Sequence, residues 1–304
     1  METVAAIRRT IRKGLPGRKL NKRLVPYILV FPAVFSVLAV LGYAVVSGVI
    51  LSLFKYDLSS IDRPFVWLEN YLYLFTNAGF LNSLSRSLIF VLGSVVLGLC
   101  LSMVFALSLY KCTKFGNALK GLSLIPYLVS GIATAIMFRF MFSSDVGLVN
   151  MILETIGFDS VLFLSSPNWA LVVTVLANVW GIIPFAVLIL LSGIQSIDSE
   201  LFEAATIDGA TKFGVFKKII LPLIAPMMGI ALIWLSFASF NMFDVILPLT
   251  GGGPNGATEY MAVFMYNVAF NEFQYSLGST VMVIILLFNV SLSFLYLKVF
   301  KLSD

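Results

Sequence analysis

The strongest constraint on the fold of this chain is a set of six long apolar runs. They cover residues 25–53, 84–110, 119–142, 169–194, 222–248 and 277–300. Each run is long enough to cross a hydrocarbon core of about 30 Å as a helix, and 60% of the 304 residues are apolar. The alternation of apolar and polar residues that marks transmembrane strands is absent from the sequence. We therefore predict an all-α, polytopic membrane protein with about six transmembrane helices.

Residues 1–24 form a basic tail before the first apolar run. The run that follows is too long for a signal peptide, and no small-residue cleavage site follows it, so we predict an uncleaved first helix. The charge of the tail could bind nucleic acid or acidic lipid. A basic flank beside a membrane span usually sets topology instead. We therefore predict that the chain contacts the lipid bilayer and has no nucleic-acid partner. Residues 25–304 are predicted to form the transmembrane domain.

The distribution of Lys and Arg predicts the orientation of the chain. Sixteen of the twenty basic residues fall in the N-terminal tail, in the second and fourth loops and at the C-terminus. Cytoplasmic segments of membrane proteins are enriched in Lys and Arg, so both termini are predicted to be cytoplasmic. The basic residues assigned to the opposite side are Lys55, Arg63, Arg86 and Arg139.

The fourth loop carries an unusually polar stretch, EAATIDGATKFGVFKKIILP, at residues 203–222. Asp198 is a good N-cap for a first helix, and Gly209 interrupts that helix because glycine readily adopts a positive φ. A second helix can restart at Thr211 and run into Pro222, which suits the first turn of a helix. From the residues alone, this stretch is either an amphipathic segment on the inner leaflet or a docking element.

The motif EAA, then DGA, then ILP in this loop resembles the loop of the membrane subunits of binding-protein-dependent ABC importers. IPY at residues 125–127 and FDVILPLTGGGP at residues 243–254 are similar to the carbohydrate-importing branch, the maltose and glycerol-phosphate type permeases. At position 198 this chain has Asp, where the family often has Pro before the first helix of this loop. The large external domain of the maltose permease is also missing, so specificity for maltose is not implied.

The resemblance implies an ABC importer type I permease fold, with a coupling loop over about residues 196–221. It implies transport without chemistry, for a sugar, an oligosaccharide or a sugar or polyol derivative, across a bacterial or archaeal plasma membrane. The implied partners are a second homologous permease, two cytoplasmic ATP-binding subunits that hold ATP and Mg, and an external or periplasmic solute-binding protein. No cofactor is expected on this chain. The implied ATPase-coupling residues are Phe202, Glu203, Ala204, Ala205, Asp208, Gly209, Ala210 and Phe213.

Positions that line the sugar path in the maltose-type permeases align with three of the apolar runs. Sugars are held by hydrogen bonds to hydroxyls and by aromatic faces against C–H surfaces. The face formed by Leu235, Ala238, Ser239 and Met242 is less polar than such a site usually needs. The implied path residues are Tyr127, Gly131, Gly181, Ile182, Phe185, Leu235, Ala238, Ser239 and Met242.

Three polar residues inside apolar runs leave alternatives open. Asp244, three-quarters of the way through the fifth run, could be an ion site of an ion-coupled secondary transporter, or it could hydrogen-bond a neighbouring helix. Asn178 and Asn241 are equally ambiguous. A metal site is not expected, because the chain has no His and two Cys. GGGPNG at residues 251–256 matches the G-x-G-x-x-G dinucleotide-binding pattern, but it lacks the strand and helix that give this pattern its meaning. We therefore predict that it forms a tight external turn.

The first prediction concerns topology. Single cysteines placed at Thr211 and in the tail should be protected from an impermeant thiol reagent in intact cells, while cysteines in segments 143–168 and 249–276 should react. The physical reason is that sixteen basic residues lie on the predicted cytoplasmic side and four lie on the opposite side. Labelling of Thr211→Cys from outside would contradict the predicted orientation.

Overall fold

The computed structural model describes residues 25–56, 63–112 and 116–300. The basic tail 1–24 therefore lies outside the described residues. The chain divides into two units, Met1–Ser47 and Gly48–Asp304.

Helices dominate the described residues of both units. In chain order they are α1 Val25–Val37, α2 Tyr43–Ser52, α3 Glu69–Thr76, α4 Ala78–Lys111, α5 Gly116–Ser123, α6 Ile125–Leu128, α7 Gly131–Met141, α8 Leu148–Thr155, α9 Pro167–Gln195, α10 Ser199–Ile207, α11 Lys212–Val215, α12 Leu221–Leu223, α13 Ala225–Phe240, α14 Ile246–Thr250, α15 Met261–Tyr266 and α16 Tyr275–Val299, with π-helical segments at Leu38–Gly42, Phe216–Ile220 and Asn267–Asn271.

In the first unit, α1 passes through the π-helical segment Leu38–Gly42 into α2. Its described apolar side chains are exposed, among them Phe31 and Val40. A helix that is apolar all round is stable where lipid or other protein surrounds it.

The second unit is built on α4, α9, α13 and α16, which pack against one another. Its core includes Phe90, Leu190 and Leu235, which are essentially inaccessible. A Cβ added at Gly98 would lie 3.1 Å from Leu235 Cδ2. Small residues let transmembrane helices approach closely, so Gly98 brings α4 and α13 into tight contact.

The prediction of one continuous helix over the third run, residues 119–142, is wrong. The structure breaks this run into α5, α6 and α7. Val129 and Ser130 are extended, with ψ of 134° and 141°, and Pro126 has no N–H for a helical hydrogen bond. The longest piece, α7, has 11 residues, which is too short to cross a bilayer alone.

The fifth run, residues 222–248, is also interrupted. α13 ends at Phe240, and the chain resumes a helix only at Ile246. At its other end, the segment Lys212–Leu223 meets α13 at an angle of 73°. Asp244 therefore lies in a turn between two helices, not three-quarters of the way through one.

These breaks change the span count that the apolar runs predicted. Within the described residues, four helices are long and apolar enough to span a membrane, and the bent pair around Ile224 gives a fifth. The four are Leu29–Ser52, Ala78–Lys111, Pro167–Gln195 and Tyr275–Val299. The all-α, polytopic class is confirmed, and the count of six is approximate.

The segment 249–276, predicted as an external loop, packs onto the bundle instead of forming only a turn. Tyr260 is 3% exposed and its ring stacks on Phe90 with centroids 4.2 Å apart. Burial raises the pKa of Tyr260, and its hydroxyl shares a 2.7 Å hydrogen bond with Thr174 Oγ1. Ser87 Oγ accepts from Met261 N at 2.7 Å. The GGGPNG turn is therefore followed by a buried segment.

Candidate functional site

Two interruptions of the helices lie against each other in the second unit. The first, at Val129 and Ser130, separates α6 from α7, and the second, residues 241–245, separates α13 from α14. They meet at Gly131, where an added Cβ would overlap the carboxylate of Asp244. Because Gly131 has no side chain, the carboxylate can lie at the first turn of α7. We call this region the facing breaks.

The position of Asp244 is electrostatically favourable. A negative charge is stabilised at the N-terminus of a helix by unpaired backbone N–H groups, and Asp244 contacts the first residue of α7. Near the other end of α7, Arg139 donates to Pro248 O at 3.4 Å. The two contacts hold α7 alongside α14, and the Asp244 side chain stays exposed.

An aromatic cluster formed by Tyr127, Phe185 and Trp234 brings together α6, α9 and α13. The Phe185 and Trp234 centroids are 4.5 Å apart, and Tyr127 lies 5.9 Å and 6.0 Å from them. Trp234 Nε1 donates to Ile182 O at 3.1 Å, which fixes its ring. Tyr127 and Phe185 are 44% and 37% exposed, so the cluster presents aromatic surface to the outside of the single chain.

Sequence reasoning missed Trp234. The sequence could have indicated Trp234, because spacings of four and three residues place positions 234, 238 and 241 on one face of a helix. Ala238 is in the predicted set, and Asn241 is exposed after the end of α13. This face joins the aromatic cluster to the facing breaks.

The predicted path residues fall into two groups. Ile182, Leu235 and Ser239 are buried inside the chain, at 4%, 0% and 3% exposure. Ser239 Oγ accepts from Asn178 Nδ2 at 2.9 Å and donates to Leu235 O at 2.7 Å, so these side chains join α9 to α13. The remaining path residues are exposed or half-buried, namely Tyr127, Gly131, Gly181, Phe185, Ala238 and Met242.

The predicted polar residues also differ in their surroundings. Asn178 is fully buried, and its Oδ1 has no hydrogen-bond partner in the described part of the chain. Asn241 is exposed and donates to Phe237 O at 2.8 Å. Asn178 is thus placed between helices, while Asn241 and Asp244 are accessible from outside the chain.

The polar stretch of the fourth loop has the helix–break–helix form that its sequence predicts. Asp198 Oδ1 accepts from Glu200 N at 3.0 Å at the start of α10, which confirms the N-cap. Gly209 has a φ of 70°. Ala210 N donates to Ala205 O at 2.9 Å and Gly209 N to Thr206 O at 3.1 Å. These two bonds are the Schellman arrangement of a helix C-terminus.

The second half of the stretch begins as predicted at Thr211, whose Oγ1 accepts from Gly214 N at 3.1 Å. Phe213 is 72% exposed. Phe202 is half-buried, and its ring centroid lies 6.0 Å from that of Tyr110 in α4. The loop therefore offers one exposed aromatic side chain and anchors the other in the bundle. Ala205 is buried, and the other predicted coupling residues are exposed, namely Glu203, Ala204, Asp208, Gly209 and Ala210.

The match to a family model fits this architecture. Residues 98–301 match the model of the binding-protein-dependent transport system inner membrane component. The chain belongs to this family of membrane permease components. The prediction of an ABC transporter permease is thereby confirmed, and the alternative of an ion-coupled secondary transporter is not favoured.

Relatives match the chain over nearly its whole length. The trehalose/maltose transport system permease protein MalF of Thermococcus litoralis is 36% identical over 274 residues, covering 90% of this chain and 92% of that protein. The sulfoquinovosyl glycerol transport system permease protein SmoG of Agrobacterium fabrum is 29% identical, covering 94% and 93%.

Solved structures show the same fold. A bacterial ABC transporter involved in the import of the acidic polysaccharide alginate matches with a TM-score of 0.76 at 20% identity, covering 92% of this chain and 96% of that chain. A second structure of a bacterial alginate ABC transporter, in complex with an alginate pentasaccharide-bound periplasmic protein, gives 0.75 at 20% identity, covering 90% and 93%.

The second prediction tests the contact at the facing breaks. Gly131→Ala should lower the stability of the purified protein by about 1 kcal/mol, the lower end of the cost of overpacking, because the new methyl group overlaps the carboxylate of the exposed Asp244 side chain, which must turn aside. The measurement is the thermal unfolding midpoint in detergent. Gly181→Ala is the matched control, since a Cβ there meets no atom within 4 Å among the described residues.

In an Asp244→Ala background, Gly131→Ala should cost much less, because the overlapping carboxylate is gone. An equal loss of stability in both backgrounds would show that Gly131 and Asp244 are not coupled.

Proposed function

We propose that this chain is the permease subunit of an ATP-driven importer of a sugar, an oligosaccharide or a sugar or polyol derivative. The observation that carries the proposal is the joining of the exposed aromatic cluster to the exposed polar groups of the facing breaks on one side of the chain. The names of the relatives, which include trehalose, maltose and sulfoquinovosyl glycerol transport, support the substrate class.

The chemistry of this face suits a polyhydroxylated substrate. The rings of Tyr127 and Phe185 can cover the C–H surface of a sugar, and the Asp244 carboxylate can accept hydrogen bonds from its hydroxyls. Broken helices are tolerated at membrane depth where they are covered by protein or line a water-filled cavity. The helix breaks at residues 129–130 and 241–245 are consistent with such a cavity.

A complete path needs a second wall. The aromatic cluster opens to the outside of the single chain, so we propose that a second, homologous permease subunit closes the path. In the proposed orientation both chain termini and the stretch from Asp198 to Pro222 face the cytoplasm. A solute-binding protein would deliver substrate at the opposite end.

The fourth loop is proposed as the coupling loop to two cytoplasmic ATPase subunits, which would bind ATP and Mg. The loop joins the end of α9 to the start of α13, and these two helices carry Phe185 and Trp234. An ATPase that displaces the loop would therefore act on the path through its own helices. Exposed Phe213 and the small exposed Ala204 suit close docking.

The proposed function is tested with the complete complex in proteoliposomes. Uptake of a labelled sugar should require internal ATP and the binding protein, and should be insensitive to a proton or sodium ionophore. Uptake that continues without ATP but stops with an ionophore would overturn the proposal in favour of an ion-coupled carrier.

The third prediction concerns the path. Phe185→Ala should raise the substrate concentration for half-maximal uptake by roughly three- to tenfold, comparable to the loss of one aromatic pair, without reducing assembly. Leu176→Ala is the matched control, because both residues lie on α9 with 37% exposure and nine residues place them on opposite sides of the helix. Equal kinetics in both variants would remove Phe185 from the path.

The fourth prediction concerns coupling. Gly209→Val should abolish or uncouple ATP-driven uptake while insertion into the membrane stays normal, because a β-branched residue is strongly disfavoured at a φ of 70°. A Cβ at this position meets no described atom within 4 Å, so the effect is conformational rather than steric. The measurements are ATPase co-purification and uptake at matched protein levels.

Gly209→Asn is the control, since asparagine tolerates the left-handed region. It should retain most of both activities. Wild-type behaviour of Gly209→Val in both assays would falsify the coupling role.

A further inference from the structure

A polar pocket of about 240 Å³ lies at one end of the second unit. Its walls come from the described parts of the connection between α2 and α3, from α3 itself and from the start of α16. None of its lining residues belongs to the aromatic cluster or to the facing breaks. We call it the Lys55 pocket. The polar side chains that line it are those of Lys55, Glu69, Asn70, Tyr73, Gln274 and Ser276.

Hydrogen bonds between distant parts of the chain hold the walls of the Lys55 pocket in place. Asn70 Nδ2 donates to Ser52 O at 2.8 Å and to Phe54 O at 2.9 Å, which ties α3 to the end of α2. Ser276 Oγ accepts from Tyr56 N at 3.1 Å, and Ser276 N donates to Tyr56 O at 3.2 Å. These bonds tie the start of α16 to the same segment. The pocket is therefore a built feature of the fold.

The ends of two spanning helices place the Lys55 pocket at a membrane surface. The candidate span Leu29–Ser52 ends beside it, and the candidate span Tyr275–Val299 begins beside it. Trp67, in the segment that leads into α3, is 63% exposed. Trp and Tyr are enriched where the hydrocarbon core meets the polar headgroups. The pocket thus lies at the depth of lipid headgroups.

The helix α3 has the two faces of a helix that lies in the membrane interface. Leu74 is 1% exposed and packs into the core, while Leu72 and Phe75 are 69% and 52% exposed. An amphipathic helix of this kind places its outer apolar side chains at the boundary between headgroups and acyl chains. The polar pocket therefore has apolar surface beside it on the same helix, an arrangement that suits a lipid with its headgroup in the pocket.

The charges of the Lys55 pocket restrict which headgroup fits. Lys55 carries an ammonium group, and Gln274 adds an amide N–H donor. Glu69 carries a carboxylate, and Asn70 can offer only its Oδ1 acceptor, because both N–H groups of its amide already donate to carbonyls. Lys55 and Glu69 line the same pocket without forming an ion pair with each other. A neutral sugar would leave both charges unmatched, and an anionic lipid would leave Glu69 beside a like charge.

We propose that the Lys55 pocket binds the headgroup of a phospholipid that joins a phosphate to a primary ammonium, as in phosphatidylethanolamine. Lys55 and Gln274 donate to the phosphate oxygens, and Glu69 and Asn70 Oδ1 accept from the ammonium. A choline headgroup has no N–H donor for these acceptors. The bound lipid ties the α2–α3 connection, α3 and the start of α16 together at the membrane surface. This site is separate from the proposed sugar path and does not rest on the proposed function.

Lipid binding to the purified, delipidated complex tests the proposal. Phosphatidylethanolamine, phosphatidylglycerol and phosphatidylcholine with identical acyl chains are added in turn, and bound lipid is counted by native mass spectrometry. The ethanolamine lipid should bind about fivefold more tightly than each of the other two, as expected for one charge-assisted hydrogen bond at a partly exposed site. Equal affinity for the three lipids would overturn the proposal.

Two substitutions separate the roles of the two charges. Lys55→Gln should weaken the ethanolamine and glycerol lipids alike, by about fivefold, because both contain the phosphate. Glu69→Gln should weaken only the ethanolamine lipid, because the glycerol headgroup has no ammonium. Glu272→Gln is the matched control, since Glu272 is an exposed acid two residues before Gln274 and does not line the pocket. It should change neither affinity. Glu69→Gln acting equally on both lipids, or on neither, would show that the pocket does not hold the ammonium.

Two further measurements identify the source of the ligand. Soluble phosphoethanolamine carries the same charges without acyl chains and should bind about tenfold more weakly or worse, because burial of each methylene adds to affinity. Equal binding of the soluble compound would overturn a lipid as the ligand. In intact membranes, benzoylphenylalanine at Val66, which lines the pocket, should crosslink to ethanolamine lipid above its share of the bilayer, and at the adjacent Phe65 it should not. A crosslink from position 66 to the binding protein or the second permease would overturn the proposal.

Discussion

Backbone hydrogen bonding in the membrane is the constraint on which this structure depends. Inside hydrocarbon, each unpaired N–H or C=O costs several kcal/mol, so a chain can leave its helices only where protein or water covers the exposed groups. Two of the places where this chain leaves its helices, Val129–Ser130 and residues 241–245, meet at Gly131 and Asp244. Their meeting concentrates the polar backbone in one place. Under the proposed function, a path for a polar solute at this place adds the fewest unpaired polar groups to the hydrocarbon region.

The sequence predicted this structure unevenly, and the reasons are physical. Hydropathy located the apolar runs because burial in lipid depends on composition. It did not find the interruptions, because a hydropathy average does not register the missing N–H of Pro126, which ends the helix before α6, or the single Asp244 among apolar residues. The fourth loop was predicted in detail, since the N-cap at Asp198 and the positive φ at Gly209 are local properties of single residues. Such properties do not depend on distant contacts.

The path residues show the limit of reasoning along one helix. A helical repeat places side chains on a common face, but the neighbours of that face are set by tertiary packing. Leu235 and Ser239 share the helix that carries Trp234, yet Leu235 packs near Gly98 and Ser239 binds Asn178. Trp234 turns towards Phe185. Whether a residue of α13 packs between helices or lines the proposed path is therefore decided by how the helices pack together, and not by its position along one helix.

The same contacts bear on how the proposed importer can move. α9 and α13 are joined by the Trp234 bond to Ile182 O and by the Asn178–Ser239 bond. Near the fourth loop, a Cβ at Gly193 would lie 2.7 Å from Met227 Cγ, so the ends of the two helices are in close contact. Close-packed interiors transmit displacement rather than absorb it. Displacement of the fourth loop should then carry α9 and α13 together as one body. Under the proposed function, the path would open between subunits, and Phe185 and Trp234 would keep their contact as the wall of that path moves.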